Sequence, residues 1–287
     1  MLHRSTIQLL RFHFSIFLLP IYLFAVSQSP EINWRDALIV FFVLHVLVYP
    51  SSNGYNSYMD RDETPIGGLK NPPRPSRQLF YTTVVMDIVA MAISSFVSSY
   101  FVAGVFLYVL ASRAYSYRGI RLKKYPIIGF LTVVIFQGAL VFFISYHGAS
   151  EAKSLDVPLL PMLAATFLIG GYYPLTQIYQ HDEDRNDGVL TISMLLGKRG
   201  TFIFCGGIFA AATLLIFATF YYQHQLRSFF IFLVAMAPMV LFFSGWMRKV
   251  WKNEAEANFK NSLKMNILAS SCTSICFLTL VILRSVE

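Results

Sequence analysis

The sequence predicts an all-α fold: a polytopic membrane protein with nine transmembrane helices, in two pseudo-repeated four-helix halves plus one. Three observations predict it: an apolar composition, nine hydrophobic runs of spanning length, and an internal repeat of polar residues. Of the 287 residues, 56% are hydrophobic and 13% charged, against about 25% charged in a soluble domain. Phe alone occurs 27 times. A soluble chain of this length has too little core to bury that surface. Disorder, a disulfide scaffold and an ordinary soluble enzyme are excluded, and lipid is the expected solvent.

A helix needs about 20 apolar residues to cross a bilayer. Nine runs qualify: 8–27, 36–59, 79–97, 100–117, 126–147, 157–180, 201–222, 226–247 and 265–284. The period-two alternation of a barrel is absent, so helices satisfy the backbone. The first run, with Arg4 and Arg11, has no small-residue cleavage site after it and reads as a span, not a removed signal. Cys205, Cys272 and Cys276 all fall inside apolar runs and read as packing residues. The whole chain, 1–287, is expected to be one membrane domain, with half-repeats at about 8–117 and 126–247 and the ninth helix at 265–284.

The connections alternate in charge. All but Arg35, Lys153, Arg227 and Arg284 of the 23 basic residues lie at the N-terminus or after even-numbered runs. The positive-inside rule then puts the N-terminus in the cytoplasm and the C-terminus outside; a prokaryotic cell (inner) membrane is the expected location. The net charge of +8 is thus largely a topology signal, and no nucleic-acid partner is expected. No obligate protein partner is inferred. The long connections, 60–78 and 181–200, are on the cytoplasmic side, and loops of that length are usually functional.

The second run ends Tyr49-Pro50-x-x-Asn53-x-Tyr55-Asn56-x-x-x-Asp60-Arg61. The sixth ends Tyr173-Pro174-x-x-Gln177-x-Tyr179-Gln180-x-x-x-Asp184-Arg185. The copies are four spans apart, so they keep the same orientation in a parallel repeat. Asn53, Asn56 and Asp60 share one helix face by their spacing, and Gln177, Gln180 and Asp184 are expected to share the equivalent face. Amides in hydrocarbon are costly without partners, so the two faces are expected to meet across a cavity open to the cytoplasm. Tyr49, Tyr55, Tyr172, Tyr173 and Tyr179 line or approach it. By helical register Asp62 and Asp182 should point away from it.

With these motifs the chain resembles the UbiA superfamily of intramembrane prenyltransferases. The likeness includes the nine UbiA-like spans, the two motifs, the stretch from Asp184 to Gly197-Lys198-Arg199, and the loop Tyr115-Ser116 with Arg121-Leu-Lys123-Lys124-Tyr125-Pro126. The resemblance implies transfer of a prenyl (isoprenoid) group from an allylic diphosphate to a hydrophobic acceptor, with Mg2+ as cofactor, in contact with membrane lipid. Family motifs are aspartate-rich. Here Asn53, Asn56 and Gln180 stand where aspartates are usual, and only Asp60 and Asp184 remain, with Asp62, Glu63, Asp182, Glu183 and Asp187 close by. On the resemblance, Asp60 and Asp184 are the catalytic acids and hold metal with Asn56 and Gln180. Diphosphate contacts are expected from Asn53, Asn56, Arg61, Arg118, Arg121, Lys123, Gln177, Gln180 and Arg185. The reduced motifs also allow a relative that binds isoprenoid diphosphate without catalysis. A small-molecule transporter is a third reading, disfavoured because its polar site belongs near mid-membrane.

Three intramembrane residues read apart from that site. Asp87, within the third run, is expected to pair with Arg113 in the fourth, since an unpaired acid there is expensive. His13 and His45 read as helix-packing residues.

Overall fold

The computed structural model describes residues 2–286. Its long helical segments are α1 (Arg4–Gln28), α2 (Trp34–Asp60), α3 (Arg77–Ser94), α4 (Ser99–Ser116), α5 (Pro126–Ala149), α6 (Leu159–Gln177), α8 (Ile192–Tyr222), α9 (Leu226–Lys252) and α10 (Phe259–Val286). A short helix, α7 (His181–Asn186), lies between α6 and α8. Seven of the long segments are long and apolar enough to cross a membrane, among the described residues. The other two, α3 and α4, have 18 residues each and carry the charged side chains Asp87 and Arg113.

Those two charges meet. Arg113 donates through Nε to Asp87 Oδ2 at 3.1 Å, and its Nη2 contacts the same oxygen. Ser51 Oγ donates to Asp87 Oδ1 at 2.5 Å, and the guanidinium stacks 3.9 Å from the Tyr55 ring centroid. The pair joins α3 to α4 and ties both to α2.

Helix ends follow local chemistry. Asn33 Oδ1 accepts from Asp36 N at 3.0 Å, Ser98 Oγ from Phe101 N at 3.0 Å, and Thr191 Oγ1 from Met194 N at 3.3 Å, each satisfying a free N–H of a first turn. Pro50 cannot donate to the preceding turn, and α2 widens to π geometry at Val43–Val48 just before it. α5 widens likewise at Val134–Leu140. There Gly138 faces α6 so closely that a Cβ would lie 2.5 Å from Thr166 Cα.

The core runs the length of the bundle and is mostly aliphatic, with aromatic contacts at its helix crossings. Phe24 of α1 stacks on Phe277 of α10 at 4.2 Å, which brings the first and last helices together. Phe202 packs edge-on to Trp246 at 4.8 Å between α8 and α9. Outward faces are apolar too: Val234 and Leu241 are each 75% exposed, the arrangement expected when the surrounding medium is lipid. His45 is buried against Tyr22, Phe41 and Tyr49, with Nδ1 3.0 Å from Ser15 O. His13 Nε2 lies 3.3 Å from Gly68 O. The three cysteines are free thiols.

Candidate active site

A cavity opens at the bundle end that carries the 61–76 and 178–191 connections. Its volume is about 270 Å³, near the lower end of small-molecule sites, about 300–1,000 Å³. Its mouth is polar: Arg11, Asn53, Asn56, Asp60, Asp62, Lys123, Gln177, Gln180 and Asp184 all line it. Its interior is apolar and aromatic, with Phe14, Phe17, Phe136, Leu168, Ile169, Tyr49, Tyr108, Tyr115, Tyr172 and Tyr173. The two copies of the repeat therefore do face one another across a cavity.

α2 builds one wall. Asn53, Asn56 and Asp60 lie on one face of it, as their spacing predicts. Asn56 Nδ2 donates to Asp60 Oδ2 at 2.8 Å and to Ser116 Oγ at 3.1 Å. Lys123 Nζ reaches the same Asp60 oxygen at 2.5 Å. Asp60 Oδ1 is buried without a hydrogen-bond partner among the described residues, with Arg121 3.8 Å away.

The opposite wall differs from the sequence expectation. Gln177, Gln180 and Asp184 do not share one continuous helix. α6 ends at Gln177, a turn closes through Gln180 N to Gln177 O at 2.9 Å, and α7 starts at His181. The reason is local: Asp182, Glu183 and Asp184 are three acids in a first turn, where the helix dipole favours them. Gln177 turns back to donate to Tyr173 Oη at 2.8 Å, and Gln180 donates to Pro65 O at 3.3 Å.

A second difference concerns Asp62. The α2 helix stops at Arg61, whose left-handed φ of 56° turns the chain, so helical register no longer applies beyond it. Asp62 lines the cavity instead of facing away. Asp182 does point outward, its side chain 98% exposed beside Arg185.

The remaining candidates separate clearly. Lys123 is in the cavity mouth. Arg121 sits just behind it, bonded to Asp187 and near Asp60. Arg118 caps the end of α2 by donating to Met59 O at 2.8 Å and Asp60 O at 3.3 Å, and pairs with Asp187 at 3.2 Å. Arg61 is exposed outside the cavity, and Arg185 pairs with Asp182 at 3.6 Å. Neither reaches the mouth. Tyr49, Tyr172, Tyr173 and Tyr179 line the cavity, whereas Tyr55 packs under Arg113.

Electrostatics concentrate at the mouth. Burial, reinforced by Asp60, raises the Asp62 carboxyl to about 6. Burial, reinforced by Asp62 and Asp60 and opposed by Lys123, raises Asp184 to about 7. Burial works against ionisation of Asp187 too, but the hydrogen bond and charge of Arg121 hold its carboxyl below the usual range.

Sequence reasoning missed Arg11. A left-handed residue, φ 48°, breaks α1 there and sends the side chain into the mouth. Its Nη2 donates to Asn53 O at 3.2 Å and its Nη1 to Gly67 O at 3.3 Å. The sequence signal was present, since an arginine inside an apolar run is itself a functional flag. The Gly67 contact also pins the segment 62–70 over the mouth. Gly68 makes its turn at φ 82°, and Ile66 anchors it against Leu9, Leu10 and Leu79.

The oxygen-only donor set, with Asp60 Oδ1 and Gln177 Oε1 buried and unpartnered, fits a hard cation such as Mg2+. No preassembled cluster of three or more His, Cys, Asp or Glu ligands occurs among the described residues.

The family model described as the UbiA prenyltransferase family matches residues 15–268. The fold is similar to that of a UbiA homolog from Archaeoglobus fulgidus, with a TM-score of 0.71, 16% identity, and coverage of 96% of this chain and 99% of that one. That homolog has been solved bound to GPP and Mg2+ and bound to DMAPP and Mg2+. A UbiA homolog from Aeropyrum pernix K1 is similar with a TM-score of 0.65 and 21% identity over 91% of this chain and 97% of that one. A digeranylgeranylglyceryl phosphate synthase structure is similar with a TM-score of 0.61 and 19% identity over 97% of each chain. No curated protein matches the sequence.

Proposed function

The chain belongs to the UbiA prenyltransferase family, and from that premise we propose that it transfers a prenyl group from an allylic diphosphate to a hydrophobic acceptor. The observation that carries the proposal is the division of the cavity. Acids, amides and two cations gather at the mouth, and an aromatic chamber lies behind them. A diphosphate fits the first environment and an isoprenoid chain the second. The transporter reading gains nothing from a polar site at one end of the bundle.

In this reading Lys123 and Arg11 hold diphosphate oxygens, and the N–H groups of Asn53 and Gln180 complete the cradle, while Asn56 spends its two N–H groups on Asp60 and Ser116. Asp60, Asp62 and Asp184, with the amide oxygens of Asn56 and Gln180, would hold Mg2+. When bound, the ion neutralises charge on the leaving diphosphate. The C1–O bond breaks, its electron pair leaves with diphosphate, the acceptor's electron pair closes the new bond at C1, and the acceptor's displaced proton passes to the departing diphosphate or to water. The rings of Tyr115, Tyr172 and Tyr173 stabilise the allylic cation through their faces. The apolar walls exclude water from it. Arg118 and Arg121 act at one remove, fixing the end of α2 and Asp187. We place the mouth on the cytoplasmic side on the strength of the basic connections there.

The test is mass spectrometry of products formed by purified protein given Mg2+ and a panel of allylic diphosphates and acceptors. Diphosphate binding without turnover across the panel would move the reading to a non-catalytic binding protein. Reporter insertion within 185–198 tests the orientation, with cytoplasmic signal expected.

A further inference from the structure

Behind the mouth, one wall of the chamber is polar but uncharged. Tyr49 and Ser52 reach it from α2, Tyr108 and Ser112 from α4, and Gln137 from α5. The Ser52 and Ser112 hydroxyls are paired, and the Tyr108 hydroxyl hydrogen-bonds with Ser52 and Gln137. The Tyr49 ring centroid lies 5.7 Å from that of Tyr108. Its hydroxyl is buried with no partner among the described residues, on a side chain only 1% exposed. Other hydroxyls lining the cavity behave differently: Thr132, Thr176, Ser270 and Thr273 each donate to a carbonyl of their own helix.

The backbone is altered beside this wall. α2 has π geometry over Val43–Val48, directly before Tyr49, and α5 over Val134–Leu140, which contains Gln137. Such widened turns are frequent at functional sites. A donor's prenyl chain is hydrocarbon and offers these groups no partner, and a buried polar group left unanswered is costly. Ser52 lies one helical turn, about 6 Å, inside Asn56, the depth of the first carbons of a donor held by its diphosphate. No charge is available there. The charged residues lining the cavity, Arg11, Asp60, Asp62, Lys123 and Asp184, all stand at the mouth, and Arg113 of α4 turns away to Asp87. An anionic head group at this wall would be uncompensated.

We propose that the wall formed by Tyr49, Ser52, Tyr108, Ser112 and Gln137 is the acceptor subsite, and that it takes a neutral acceptor bearing a hydroxyl or carbonyl oxygen, not a carboxylate. The acceptor's oxygen gives the Tyr49 hydroxyl the partner it lacks. The proposal rests on the prenyl-transfer reading and narrows its acceptor.

The experiment ranks competitors. Full-length protein in nanodiscs is captured on scintillation-proximity beads with Mg2+ and geranyl S-thiolodiphosphate, which does not ionise. Tritiated 2-naphthol reports the subsite, and unlabelled 2-naphthol, 2-naphthoate and 2-methylnaphthalene compete for it. In the parent, 2-naphthol should compete about tenfold better than either of the others. Tyr49→Phe removes one oxygen and should cut that preference about three- to tenfold, the worth of one hydrogen bond. Its ligand-free thermal midpoint should stay at or above the parent's, because an unanswered buried hydroxyl is gone. Gln137→Met should cut the preference as well. Equal competition by 2-naphthoate or 2-methylnaphthalene overturns the proposal, as does an unchanged preference in Tyr49→Phe. Should Tyr49→Phe fail to fold, the parent's ranking of the three competitors decides by itself. Binding of the tritiated diphosphate analogue is measured alongside. Analogue binding with no preference for 2-naphthol overturns the subsite and leaves prenyl transfer standing, whereas binding of neither overturns both.

Discussion

Replacing Asp87 by Asn removes the negative charge that Arg113 was buried to meet. The two side chains are only 12% and 19% exposed, so solvent screens them little. Breaking one partner of a buried pair costs about 3–5 kcal/mol. The lower end applies here, because Ser51 Oγ lies 3.0 Å from Arg113 Nη2 and the Tyr55 ring still covers the guanidinium. About 3 kcal/mol corresponds to roughly a hundredfold loss in the folded-to-unfolded ratio. Arg113→Gln should cost a similar amount from the other side. The double variant leaves no charge uncompensated and should recover about 1–3 kcal/mol of coupling. The assay is the monodisperse fraction surviving graded heating in detergent, read by fluorescence size-exclusion. A double variant no better than the worse single one would show that the ion pair is not what holds α3 and α4 together.

Further outcomes follow from the mouth and the packing. Asp60→Asn and Asp184→Asn should each lose about 10²-fold in turnover, as when one preorganised electrostatic group is removed. Asp62→Asn should be comparably damaging and Asp182→Asn nearly silent; equal effects from Asp62 and Asp182 would contradict their placement inside and outside the cavity. Gly138→Ala forces a methyl against the α6 backbone and should cost about 1–3 kcal/mol of stability, measured by the same heating assay, and full stability would mean that the helices stand farther apart. A bound cation must displace the proton that burial keeps on Asp184 up to about 7 and on Asp62 up to about 6. Mn2+ affinity without substrate should therefore weaken as pH falls through this range and level off above it; a flat profile would argue against these acids as ligands.

The helical bundle and the meeting of the two motifs were legible because hydropathy and a repeated polar face are properties of the sequence itself. The spacing of Asn53, Asn56 and Asp60 carried over intact, since α2 is helical throughout that stretch. The reading failed where backbone conformation changes at a single residue. Arg61 in the left-handed region turned Asp62 inward, and the turn at Gln177–Gln180 detached Asp184 from its span. Arg11 was hidden because its charge also served as a topology signal. Its role depends on a break in α1 that composition does not announce.

The break after Gln177 makes the two walls of the mouth mechanically unequal. Asp60 is carried by α2, a helix of 27 residues locked by the Arg113 cluster and capped by Arg118. Asp184 is carried by a six-residue helix between a turn and Gly188, tied to the α4–α5 connection through Asp187, which Arg118 and Arg121 hold. One wall is a continuous helix and the other a short helix broken from its span, so adjustment to ligands of different size is expected in the second while the first keeps its register. Amide hydrogen exchange should accordingly slow most in 178–190 on binding a diphosphate, and scarcely at all in α2.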